Sequence, residues 1–153
     1  MSAITISNER EIQPMQLSIE QLYSLKQQHE EELQELQNQL ESLAGARSKF
    51  FNAKNSLNEI GKSPDGAMIY VPLSPSLYVP GSIIENNKVI VELGTNYFCD
   101  KTIPEAQLLI ERKLALINQS IETIEGVGMN KKKNLSQLVQ VIQYKMQMAK
   151  ENK

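Results

Sequence analysis

The residues that could carry chemistry are few. The chain has one histidine, His29, and one cysteine, Cys99. No zinc site can be assembled from that pair within one chain, because a structural site takes four ligands and a catalytic one at least three. His29 lies in a long polar helical pattern, where a solvated or seam histidine is expected. Cys99 lies among strand residues, where it reads as a small packing residue. No phosphate-binding Gly-rich motif and no nucleophile elbow occurs. The carboxylates Glu30-Glu31-Glu32 read as a charged helix face rather than an acid/base pair in a pocket. The expectation is a protein with no catalytic residues, no metal and no cofactor.

The 153 residues are 41% hydrophobic, 22% charged and 5% aromatic, with no Trp. That is about one domain's length, and too apolar for a wholly disordered chain. No apolar run approaches the length of a membrane span, so no membrane partner is expected. Met1–Arg10 is polar and is not expected to act as a secretory leader. The net charge of −2 argues against a nucleic-acid partner. A single Cys excludes an internal disulfide framework and fits a reducing compartment.

Proline and glycine divide the chain. Four of six Pro and four of seven Gly lie between Gly61 and Asp100. Two Pro-poor arms therefore flank a turn-rich centre. The first arm reads as a helix over 18–60, opened by Ser18 with Gln21 three residues on, a capping-box pattern. With Ile19 at heptad position a, the seam is Ile19, Leu22, Lys26, His29, Leu33, Leu36, Leu40, Leu43, Arg47, Phe50, Lys54 and Leu57. So narrow an apolar stripe needs a partner helix. The second arm reads as a helix over 102–150, opened by Thr102-Ile103-Pro104-Glu105. Its seam is Ile103, Gln107, Ile110, Leu114, Ile117, Ile121, Ile124, Gly128, Lys131, Leu135, Leu138, Ile142, Lys145 and Ala149. Gly126 and Gly128 read as a bend or weak point, with a true break as the alternative. Each arm would run roughly 60–70 Å at 1.5 Å per residue, which with heptads means coiled coil.

The first arm carries a net −3 and the second +3, which favours an antiparallel pairing. Folding residue 60 beside 103 makes partner numbers add to about 163. Glu30, Glu31 and Glu32 then face Lys131, Lys132 and Lys133. Exposed pairs of this kind give about 1 kcal/mol at most, so the match argues register rather than stability. The acidic run also neutralises the basic triplet as a nucleic-acid patch.

The centre, 61–101, reads as strands. Ala67–Val71 is a β-rich run ended by Pro72. Ser82-Ile83-Ile84 and Val89–Leu93 read as a hairpin around a turn at Glu85–Lys88. Gly94-Thr95-Asn96 turns into Tyr97–Asp100. Only six of the forty residues from Gly61 to Asp100 are charged. A few short strands with open edges are not stable alone. The candidate subunit interface is Met68, Ile69, Val71, Leu77, Val79, Ile83, Ile84, Val89, Ile90, Val91 and Leu93. The fold class is α+β: one domain over 1–153, a long antiparallel coiled-coil hairpin with a central two-hairpin β segment.

Val71-Pro72-Leu73-Ser74-Pro75-Ser76-Leu77-Tyr78-Val79-Pro80-Gly81, followed by Val91-Glu92-Leu93-Gly94-Thr95-Asn96-Tyr97-Phe98, closely resembles the signature of alpha-class prefoldins. Lys49–Leu57 and Leu25-Lys26-Gln27-Gln28 fit the same family, and the similarity spans about 15–150. One departure is Asn96-Tyr97-Phe98, where the family usually has Gly and two Tyr. The Gly126/Gly128 pair is another. The resemblance implies a subunit of a cytoplasmic, ATP-independent hexameric chaperone of two alpha-class and four beta-class subunits. It implies hairpins that join a β-barrel in the oligomer and coil tips that hold unfolded actin and tubulin for the group II chaperonin. At the tip the hairpin register brings 18–25 beside roughly 138–145. The candidate client-binding residues there are Ile19, Leu22, Leu25, Val139, Val141, Ile142, Met146 and Met148. The alternative is a coiled-coil scaffold or tether, which would end in polar, specific tips rather than adaptable apolar ones.

Overall fold

The structure, a computed structural model, describes residues 14–151. The polar stretch Met1–Arg10 lies outside the described residues. After a short 3-10 turn at Pro14–Gln16, helix α1 runs Ile19–Lys62. Strands β1 (Met68–Ser74), β2 (Leu77–Ser82), β3 (Lys88–Gly94) and β4 (Tyr97–Thr102) follow, and helix α2 runs Ile103–Glu151. The backbone divides into two compact units. One runs to Ala44 and resumes at Ser120; the other is Gly45–Gln119.

Both helix starts carry side-chain caps. The Ser18 N–H donates to Gln21 Oε1 at 2.9 Å, and the Gln21 N–H donates back to Ser18 Oγ at 3.2 Å. This is the reciprocal pattern that satisfies two orphan donors. At α2 the Glu105 carboxylate accepts from both the Thr102 N–H and its hydroxyl, each at 2.9 Å. Only the reach-back half of the box forms there. Those two donors hold the Glu105 carboxyl below its usual range, the backbone donor contributing most. Gly126 and Gly128 sit inside continuous α2, so the break is excluded. Long helices on both sides and tertiary contact outweigh a propensity penalty of about 1 kcal/mol per glycine.

The seam is legible residue by residue. Every proposed seam position of α1 except Arg47 is withdrawn from solvent, and Ala46 is sheltered in its place. A guanidinium is costly to desolvate, and a one-residue rotation puts a methyl there instead. Along α2 only Ala149, near the end of the described helix, is exposed among the proposed positions. In the unit containing both helix ends, the core is Leu22, Leu138 and Ile142, with Leu17, Leu25 and Val141 packed against it.

The antiparallel register holds in each unit. Lys131 Nζ donates to Glu32 Oε2, which matches the expected register. Lys54 Nζ reaches Glu111 Oε1 at 2.7 Å, and Gln107 Nε2 donates to Asn58 Oδ1, both two residues off it. The expected three-on-three charge facing is reduced to one cross-helix pair. Glu30 binds Lys26 at 2.8 Å and Glu31 accepts from Gln27 at 3.0 Å, each within α1. A partner four residues away on the same helix is held close by the backbone, whereas a cross-helix lysine must be fixed from outside.

The strand partition differs from the sequence reading. β1 pairs with β2 and β3 with β4, as two separate two-stranded antiparallel sheets. Ile83 is not paired with β3. Its N–H donates to Ala67 O at 2.9 Å, prolonging the first hairpin. Glu85–Lys88 is a turn, closed by Lys88 N–H to Glu85 O at 3.2 Å, but it joins the two hairpins. Asp65 accepts the Glu85 N–H at 3.1 Å and Ser63 O accepts from Asn86 Nδ2, which tie that turn to the end of α1.

Nor does Pro72 end β1. It pairs with Tyr78, and Pro80 pairs with Tyr70. Both prolines fall on the same alternate set of pairs. The intervening pairs, Ile69–Gly81 and Val71–Val79, are left to carry the ladder's hydrogen bonds, so neither missing N–H is needed within the hairpin. The second hairpin turns at Thr95-Asn96, with φ of 43° and 61°. Two consecutive positive φ values match the twist of the flanking strands. Asn tolerates this conformation; a β-branched Thr does so under strain. Glu92 Oε1 accepts the Asn96 N–H at 3.1 Å and helps hold the turn.

Candidate functional site

Two surfaces stand out, each within one unit. The first is the set of hairpins in the Gly45–Gln119 unit. Alternation along a strand sends successive side chains to opposite faces. Met68 and Tyr70 on one face of β1, and Ile69 and Val71 on the other, are all exposed. On β2, Leu77, Tyr78 and Val79 are exposed as well. In the second hairpin Val89 and Val91 are half-buried, while Ile90, Leu93, Tyr97 and Phe98 are exposed. Ile90 is 72% exposed. Ile83 is half-buried and Ile84 is exposed in the connection. A groove of about 420 Å³ lies where Val89, Ile90 and Val91 approach Phe50, Leu57, Ala106 and Ile110. The sequence reading omitted Tyr70, Leu73, Tyr78, Tyr97 and Phe98, which are exposed alongside the chosen residues. Pairing the two halves of each hairpin would have found them, since Tyr70 and Tyr78 lie opposite the two prolines.

This concentration of apolar surface is unusual for a chain meant to stand alone. Scattered exposed apolar residues are ordinary; a contiguous set marks an interaction surface. The outer edge of each strand of the first hairpin carries one proline, which removes a donor from that edge. The second hairpin has no proline in either strand, so its outer donor rows are uninterrupted.

The second surface is the coil end in the other unit. Of the eight candidate residues there, Leu22 and Ile142 are core: 0% and 5% exposed. They are corrected from open surface to the coil's own seam, because the a/d side chains of a two-helix coil are the ones its partner helix covers. Ile19, Leu25, Val139 and Val141 are half-buried along the seam's margin. Met146 and Met148 are exposed. Met15, Tyr23 and Tyr144 join them and were not anticipated. A shallow groove of about 390 Å³ is lined by Met15, Gln137, Gln140, Val141 and Tyr144. The Tyr23 hydroxyl contacts Met146 Sδ at 3.5 Å, and Lys145 Nζ donates to Leu17 O. The signal for the two tyrosines was their place beside the seam: Tyr23 follows Leu22, and Tyr144 precedes Lys145.

His29 and Cys99 belong to different units, and among the described residues no group of His, Cys, Asp or Glu could hold a metal ion. His29 is a seam residue, 2% exposed. Its Nδ1 lies 3.5 Å from Glu32 Oε2. Glu32 is held below the usual carboxylate range, first by the hydrogen bond from Lys131, against an opposing effect of burial. Among the described residues no helix is long and apolar enough to cross a membrane.

Two long helices joined through two β-hairpins define the class of subunits whose coil is carried on a β segment. The prefoldin subunit family model matches residues 29–148, and the chain belongs to that family. It is 36% identical to a probable prefoldin subunit 5 of Dictyostelium discoideum, covering 88% of this chain and 84% of that one. To prefoldin subunit 5 of Arabidopsis thaliana it is 34% identical, covering 85% and 86%, and to that of Homo sapiens 30%, covering 86% of each. A chain of the filamentous PFD of Methanocaldococcus jannaschii, solved by cryo-EM, superposes with a TM-score of 0.68 at 15% identity, over 76% of this chain and 97% of that one. That likeness supports the fold.

Proposed function

We propose that the protein is one subunit of a hexameric, ATP-independent chaperone that captures unfolded proteins at its coil tips. Its partners are other prefoldin subunits, two of the alpha class and four of the beta class in all, and the two hairpins favour the alpha class for this chain. Met68, Ile69, Val71, Leu77, Val79, Ile83, Ile84, Val89, Ile90, Val91 and Leu93 are the residues proposed to meet those partners in a β-barrel. The second hairpin, with unbroken donor rows, is the better candidate for strand addition. The first, with a proline on each outer edge, offers side chains more than backbone. Unfolded actin and tubulin are the proposed clients, the group II chaperonin the proposed recipient, and the cytoplasm the proposed location.

The observation that carries the capture reading is the apolar coil end. Met15, Val141 and Tyr144, with Gln137 and Gln140, line a shallow groove, and Met146 and Met148 are exposed on the same coil end, where a specific tether would need a polar, shaped end. Met adapts its shape to varied apolar partners, and weak contacts permit release. Ile19, Leu25, Val139 and Val141 supply the margin; Leu22 and Ile142 supply the core beneath it. Replacing Val139, Val141, Met146 and Met148 with Ser tests the reading in the assembled complex. Suppression of client aggregation should fall and client dissociation should speed up while the hexamer stays intact. The effect of one altered tip is partial where several tips grip together. Unchanged holding by a hexamer altered at every tip would move capture elsewhere in the complex.

A further inference from the structure

A buried histidine sits one heptad inside the apolar core of the coil end. Among the described residues neither ring nitrogen of His29 has a hydrogen-bond partner, although both are shielded from solvent. Buried polar groups are ordinarily paired, and an exception calls for an explanation. The nearest carboxylate, Glu32, is already occupied. Its Oε1 accepts from Gln28 at 3.2 Å, and its Oε2 accepts from Lys131 of the opposite helix. His29 Nδ1 approaches that same Oε2, at 3.5 Å.

Among the described residues the other charged groups at this level are few. On α1, Lys26 lies one turn toward the end and is bound to Glu30 at 2.8 Å. From α2 the charged group is Lys131; the register puts uncharged Asn134 and Leu135 opposite His29. Lys132 and Lys133 are exposed to solvent. A protonated imidazole would therefore share one carboxylate oxygen with Lys131, in a seam, beside a second lysine.

We propose that His29 is a proton-sensitive latch of the distal coil, in which proton uptake by the imidazole displaces Lys131 from Glu32 and loosens the seam beside Leu22, Leu138 and Ile142. Imidazole is the side chain that ordinarily changes charge between pH 5 and 8. The neutral ring packs as a flat, largely apolar knob, which the closed seam tolerates. The charged ring requires an anion or water. Glu32 Oε2 can accept from both cations only by drawing Lys131 and the charged ring together. Either Lys131 leaves, which removes the cross-helix tie at this level, or the ring swings out, which opens a seam position. Both outcomes part the helices at the same place. The latch is independent of what the coil end binds.

The test is hydrogen exchange by mass spectrometry on the full chain in its assembled complex, at pH 7.5 and 5.5, corrected for intrinsic exchange. Protection over 22–32 and 131–142 is expected to fall about tenfold or more at pH 5.5, with segments 46–57 and 107–117 unchanged. His29→Leu should abolish that pH dependence. Glu32→Gln should loosen the same segments already at pH 7.5, because Lys131 loses its anionic partner. His29 is the chain's single histidine, so its ring C2–H signal in a labelled subunit can be followed alone. The midpoint of that signal should coincide with the loosening, a readout that holds even where His29→Leu fails to fold. Equal protection at both pH values, a pH dependence that persists in His29→Leu, or a ring midpoint apart from the loosening would overturn the latch.

Discussion

The coil and the hairpins handle apolar side chains in opposite ways. Along the helices, Leu22, Leu138, Ile142, Ile103 and Ile110 are shielded by the partner helix of the same chain. In the hairpins, Met68, Tyr70, Ile90, Tyr97 and Phe98 point largely into solvent. The difference comes from geometry. A heptad stripe is narrow enough for one antiparallel helix to cover it. A two-stranded ribbon has two faces and two edges, and one short chain has nothing to place on all four. The seam is therefore covered within the chain, and the hairpins are the region proposed to be completed by partners.

The largest break in this contrast should come from charge in the second hairpin. Ile90→Asp leaves the lone chain almost untouched, because that side chain is already exposed, but it puts an unpaired carboxylate into the proposed subunit interface. The penalty there is several kcal/mol, so size-exclusion chromatography should show the subunit lost from the hexamer. Val91→Asp should do the same. An intact hexamer with either variant counts against the assigned interface.

The coil should respond to the reverse kind of change. Leu138→Ala removes a fully buried side chain at the coil end and should destabilise it by about 2–5 kcal/mol. Local hydrogen exchange near residues 22 and 142 should rise while the hexamer persists. The same truncation at exposed Leu116 should cost far less, within about 0.5–1 kcal/mol, a difference that denaturation of both variants would expose.

A smaller effect concerns the strained turn. Thr95 holds a φ of 43°. Thr95→Gly should relieve about 1 kcal/mol of backbone strain, seen as slower amide exchange across β3 and β4. A less protected hairpin in that variant would show that Thr95 makes a contact worth more than its strain.

The smallest effect is electrostatic. Glu32 is held below its ordinary value, first by Lys131. A carboxyl whose folded value is depressed contributes stability above its unfolded value, near 4.3, and loses that contribution as pH falls through the folded value. Lys131→Met should therefore flatten acid unfolding below about pH 4.3, by about 1 kcal/mol or less. An unchanged acid-unfolding curve in Lys131→Met would remove the pair from the stability of the coil.

The same contrast explains what the sequence showed and hid. The coil was readable because each seam residue declares itself by a period of 3.5; the exceptions, Arg47 and Ala149, sit where a charge and a helix end override the period. Glu32 with Lys131 was readable from the charge pattern, but Glu30 and Glu31 found nearer partners on their own helix. The hairpins were harder. Pro72 and Pro80 look like strand breakers until their pairing shows that neither N–H is needed. Glu85–Lys88 has the chemistry of a hairpin turn, yet Asp65 and Ser63 anchor it as a connector. Leu22 and Ile142 were drawn into the candidate surface because an apolar side chain at a coil end reads alike whether it fills the seam or faces solvent.

The most direct test compares one chain in two states. Hydrogen exchange would be followed in the isolated subunit and in the complex formed with its partner subunits. Amides of β1–β4 should exchange fast alone and at least about a hundredfold slower in the complex, while seam amides at 33–43 and 117–124 stay protected in both. Hairpins equally protected in the isolated subunit would contradict the account, because they would then be complete without partners.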